Sequence, residues 1–86
     1  MHAVLVKVRS DNFEAAQEVL RSEVVPRVSQ APGFVAGYWL EPKDGKGVSL
    51  VVFESEEAAR SAAERLQPPP MVELEAVEVR EVVAHA

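Results

Sequence analysis

Tyr38 and Trp39 stand side by side in a run, Phe34 to Glu41, that is apolar at nearly every position. An indole ring can stack on an aromatic molecule while its N–H holds a polar group, and a phenol can donate a hydrogen bond. Neighbours in a strand face opposite ways, so Tyr38 points away from Trp39, and its hydroxyl could donate to a substrate or simply reach the rim. Both also suit packing, because aromatic residues are common anchors of cores and interfaces. Asn12 falls between a strand-like and a helix-like segment, where its amide can reach a pocket mouth or cap the helix. Arg9 and Lys7 alternate with Val6 and Val8. They could neutralise an acidic substrate, or pair with glutamates at a rim, a contact worth little. Arg27 and Arg80 pose the same choice.

His2 and His85 are the two histidines, the side chains whose ordinary pKa lies nearest neutrality. Both stand near the ends of the sequence, where fraying is common, and neither is expected to act as a base. The first and last strands need not be neighbours, so a two-histidine metal site is not implied, and a metal would need a further ligand. With no cysteine there is neither a disulfide framework nor a thiolate site. No glycine-rich loop runs from a strand into a helix, and no Ser-His-Asp set has meaningful spacing. No metal and no cofactor are expected. Glu73, Glu75, Glu78 and Glu81 read as a solvated or edge-protecting face, not an acid–base pair.

The elements that must position these residues follow from periodicity. Ala3 to Arg9 is Val-rich and predicts a strand. Asp11 is a candidate N-cap, with Glu14 at capping-box spacing. Phe13, Ala16, Leu20 and Val24 form a helical stripe that Pro26 should end or kink, with room for a further turn through Val28 to Gln30. Phe34 to Glu41 is the second strand, Asp44-Gly45 the hairpin turn and Val48 to Glu54 the third strand. Ser55 caps a second helix whose stripe is Ala58, Ala59, Ala62, Ala63 and Leu66. Pro68 to Pro70 stop it. Met71 to Ala84 predicts a long fourth strand, whose apolar phase slips between Ala76 and Val77 and so predicts a bulge. The order β-α-β-β-α-β predicts an α+β, ferredoxin-like domain over 1–86, with a four-stranded antiparallel sheet and both helices on one face.

Length and charge narrow the function classes. An 86-residue chain has little material to cover both faces of a sheet, yet the second strand is apolar on both. A second copy of the chain, docked through the sheet face and the long fourth strand, is the expected cover. A net charge of −5 argues against nucleic acid. Lys46 to Phe53 resembles the third strand of an RNA-recognition motif, but Val48 and Leu50 hold the positions where such a module stacks bases. No membrane span or signal segment is apparent, and the expected location is the cytoplasm.

Pro26, Pro32-Gly33-Phe34, Gly37-Tyr38-Trp39, the Asp44-Gly45 hairpin and the passage from Val52-Phe53-Glu54 into Ser55-Glu56-Glu57-Ala58 carry a resemblance. Across the whole chain they resemble the dimeric α/β-barrel superfamily, within it the small antibiotic-biosynthesis-monooxygenase-like proteins. The resemblance implies a homodimeric barrel with a pocket in each subunit between sheet and helices. It also implies cofactor-free oxygenation of a small aromatic or apolar molecule, with Trp39, Tyr38, Asn12 and Arg9 as candidate substrate contacts. The Asn-Trp-His set of the haem-degrading members does not carry over, because neither histidine falls in a helix and Asn12 is not inside the first strand. A non-catalytic ligand-binding module and a purely structural dimer are the alternatives.

Overall fold

The computed structural model describes residues 1–86. Strand β1 (His2–Arg9) leads into helix α1 (Phe13–Val19), a π-helical turn (Leu20–Val24) and helix α2 (Val25–Ser29). Strands β2 (Phe34–Trp39) and β3 (Lys46–Phe53) form a hairpin, followed by α3 (Glu56–Glu64) and β4 (Glu73–Glu81). The sheet order is β2-β3-β1-β4, antiparallel throughout. This is the α+β, ferredoxin-like βαββαβ arrangement. No helix is long and apolar enough to cross a membrane.

Local chemistry accounts for most boundaries. Asp44 and Gly45 both have positive φ, and Lys43 and Lys46 exchange two backbone hydrogen bonds of 2.9 Å, the mirror-image turn that an Asp-Gly pair favours. Ser55 accepts from the Ala58 N–H at 3.1 Å, closing the start of α3 as expected. The cap of α1 is Asn12, not Asp11: Asn12 Oδ1 accepts from Ala15 N–H, and the Asn12 N–H is itself held by Ser10 Oγ at 3.0 Å.

At Pro26 the helical path continues, but the regular α-helix is interrupted just before it. Proline has no N–H for the carbonyl one turn back, and its ring crowds that carbonyl. The chain widens instead, with Val25 N–H bonding to the Leu20 carbonyl. The helix then resumes with Pro26 in the first turn of α2, where a missing N–H costs nothing.

The fourth strand is shorter than its composition suggests. β1 offers partners only as far as His2, which pairs with Glu81; beyond that, Val82 N–H reaches the Met1 carbonyl and strand pairing ends. A slip is present, but it falls before Ala76 and not between Ala76 and Val77 as expected. Lys7 lies opposite Ala76 and Val8 opposite Leu74, so Glu75 is the extra residue of a bulge. The first and last strands, whose adjacency the sequence left open, are direct neighbours. His2 is the first residue of β1, while His85 lies past the end of β4.

Register assigns the faces. Val4, Val6 and Val8 of β1 share the helix-covered face with Val51 and Phe53 of β3, Trp39 of β2, and Leu74, Val77 and Val79 of β4. Val4, Val6, Val51, Phe53 and Ala59 form the buried core, with Phe34 set edge-on to Phe53. The opposite, open face carries Ala3, Leu5, Ala36, Tyr38, Val48, Leu50 and Val52, then a charged margin of Lys7, Arg9, Glu73, Glu78 and Arg80. Only nine of 86 residues are buried, so one layer of helices on one sheet gives this chain a thin core.

Candidate functional site

The two long helical segments meet the sheet differently. The alanines of α3 bring it close, and Ala59 is fully buried. The first helical segment presents Phe13, Leu20 and Val24; its end, α2, lies close to β2, while α1 reaches the sheet through Phe13, whose ring lies against Gly47 of β3. Between this segment and the sheet is a cavity of about 480 Å³. Its floor is Val6, Val8, Gly47 and Ser49, and one wall is Phe13, Ala16, Leu20 and Val24. Leu66 and Pro68 close a side and Trp39 stands at the β2 border. This size and apolar character match sites that take small organic molecules.

Trp39 owes its position to Gly37, two residues earlier on the same face. A Cβ at Gly37 would come within 2.7 Å and 2.8 Å of two Trp39 ring carbons. The missing side chain therefore lets the indole lie back along its own strand. Trp39 is partly buried and packs against the core while bordering the cavity.

The other candidate side chains are placed elsewhere. Tyr38 points to the open face, as strand alternation requires, and is 58% exposed. Asn12 spends its carbonyl oxygen on the helix cap. Arg9 donates to Glu73 at 2.6 Å across the open face; that hydrogen bond, with the charges of Glu73 and Glu75, holds its pKa above the usual value. None of the three borders the cavity. The structure thus brings Trp39 to the cavity and leaves Tyr38, Asn12 and Arg9 outside it. Arg80 pairs with Glu78 at 2.9 Å.

His2 lies at the far end of β1 from the cavity. Its Nε2 is 3.7 Å from a Glu56 oxygen, which also lies 3.4 Å from Arg60. Its Nδ1 is buried without a hydrogen-bond partner. No three His, Cys, Asp or Glu side chains are grouped to hold a metal ion.

Polar groups that the sequence reading passed over do border the cavity: Gln17, Arg21, Glu41, Ser49 and Gln67. Gln17 and Arg21 flank the Phe13–Ala16–Leu20 stripe one turn apart, and that spacing is the signal that could have drawn notice. In comparisons with known proteins, the chain matches no family model and no curated protein.

Proposed function

We propose that this chain binds a small aromatic or otherwise apolar molecule in the cavity between sheet and helices, with Trp39 as the stacking wall. The apolar cavity that Trp39 borders, between the first helical segment and the sheet, carries this reading. Homodimerisation through the open face accompanies it. Val48 and Leu50 are each 36% exposed beside Tyr38, and a contiguous apolar patch of this kind marks an interaction surface. The acidic, cysteine-free composition suits the reducing cytoplasm.

Cofactor-free oxygenation, in the manner of the monooxygenase-like proteins the sequence resembles, is the second reading. It needs a group to take a substrate proton, and the cavity walls offer Glu41 but neither histidine nor tyrosine. Asn12 and Arg9, two of the candidate substrate contacts, are engaged elsewhere. Binding therefore ranks ahead of turnover.

Titrating the protein with quinols, aromatic polyketides and haem while following Trp39 fluorescence tests both readings. Saturable quenching by one class supports the site, and oxygen uptake with that class would establish the enzyme. No quenching, with a blue-shifted Trp39 closed to iodide, would make Trp39 a packing residue and overturn the proposal.

A further inference from the structure

We infer that the molecule held in this cavity carries an anionic group, a carboxylate by preference, and that Arg21 recognises it. This rests on the cavity reading above and names the ligand class for that same site. Arg21 is the one cation among the bordering residues. The ion pairs of the molecule join His2 and Arg60 to Glu56, Arg9 to Glu73, and Arg80 to Glu78; Arg21 is in none of them.

Its guanidinium is therefore free to offer a planar fork of donors, which fits a carboxylate in two parallel hydrogen bonds. Arg21 is exposed at the edge of the cavity, so the guanidinium can meet an anionic group while the apolar part of the same molecule lies against the walls. The amides of Gln17 and Gln67 and the hydroxyl of Ser49 add donors around the same cavity.

The wide turn that Pro26 imposes, Leu20–Val24, contains Arg21 and borders the cavity. Turns of this kind recur at functional sites. A chain of net charge −5 repels anions at long range, so an anion preference has to come from a local cation. Glu41 is the opposing charge at the cavity. A site governed by Glu41 would instead prefer a cation, and the experiment separates the two.

Isothermal titration calorimetry with three probes of one shape tests the inference: 2-naphthoate, 2-naphthamide and 2-naphthylmethylammonium. Charged hydrogen bonds make the expected preference for naphthoate over naphthamide about tenfold or more, with the ammonium weakest. Arg21→Gln should bring naphthoate down to the level of the amide, and Arg21→Lys should retain part of the preference. In the unmodified protein, naphthoate affinity should fall between low salt and about 0.5 M NaCl while naphthamide affinity holds; this arm does not depend on how the variants fold. Equal binding of naphthoate and naphthamide, a preference that survives Arg21→Gln, or tightest binding of the ammonium would overturn the anion inference and leave the cavity reading standing. No binding of any probe would overturn both.

Discussion

Ser10 and Gly37 show how single residues hold the site. Ser10 is a buried polar residue. Its Oγ donates to the Met71 carbonyl at 2.7 Å and accepts from Asn12 N–H, while its own N–H bonds to the Gly45 carbonyl. One side chain thus ties the end of β1 to the start of α1 and to the approach of β4. Ser10→Ala leaves a donor and an acceptor unpaired. It should cost about 1–2 kcal/mol in urea unfolding; a loss below a few tenths would show that water replaces both bonds. Gly37→Ala acts by volume. The new methyl must displace the Trp39 ring, which should cost about 1–3 kcal/mol and shift Trp39 emission even in folded protein. Unchanged emission would mean the ring does not rest on Gly37. His2 gives a third case. Its Nδ1 is buried and unpaired, so His2→Leu removes a desolvated polar atom at the expense only of an exposed contact with Glu56. Stability should be unchanged or raised by up to about 1 kcal/mol, and a clear loss in the same urea assay would show a hidden partner.

At the scale of elements, the wide turn before Pro26 is where sequence and structure part most usefully. Pro26→Ala restores the N–H that an unbroken α-helix needs. The turn should tighten, moving Leu20, Arg21 and Val24 relative to the floor formed by Val6 and Val8. Stability should change by no more than about 1 kcal/mol, because proline in a first helical turn is well tolerated. Affinity for a cavity ligand should fall about tenfold, as expected when positioning groups shift. Unaltered affinity would mean the wide turn does not shape the site. The other elements were legible where their cause is local. Asp44-Gly45 dictates its own turn and Ser55 its own cap, and the broken apolar phase of the fourth strand announces a bulge, though at Glu75 and not between Ala76 and Val77. Failures arose where a distant partner decides. Asp11 and Asn12 are equally good caps by type, and Ser10, anchored to Met71, selects Asn12. The apolar Val82 and Val83 extend the β pattern, but past Glu81, which lies opposite His2, only the Val82 N–H finds a partner, the Met1 carbonyl. The cavity was legible only as far as Trp39. Its walls come from Phe13, Leu20 and Val24 on the first helical segment and its floor from Val6, Val8 and Gly47 on two strands, and no one segment encodes that.

For the whole molecule, the decisive fact is a thin core beneath one apolar open face. The helices cover one side of the sheet, and on the other side Leu5, Tyr38, Val48, Leu50 and Val52 lie together toward β2 and β3. Lys7, Arg9, Glu73, Glu78 and Arg80 crowd toward β4. A second copy turned about a two-fold axis would set apolar half against apolar half, with the two charged margins at the rim, where ion pairs stay hydrated and cost little. A standard interface has this anatomy of dry centre and polar edge. Leu50 lies in the apolar half, so Leu50→Glu strikes the centre of the proposed contact twice, once in each subunit. Each loss of a buried leucine is worth about 1.5–3 kcal/mol, and a buried unpaired carboxylate adds to it. The mutation should therefore weaken association at least about a hundredfold, giving a particle of one chain mass at micromolar concentration by sedimentation equilibrium. Far-ultraviolet circular dichroism should be retained, since Leu50 is outside the buried core. Glu75→Lys, a charge reversal at the bulge near the rim, should shift the dimer constant only about threefold. If the unmodified protein already sediments as a single chain, the open face has another occupant or none, and the homodimer reading fails. If Leu50→Glu stays dimeric, the dimer forms through a different surface, and the face that the second strand leaves bare must be explained by something other than its own copy.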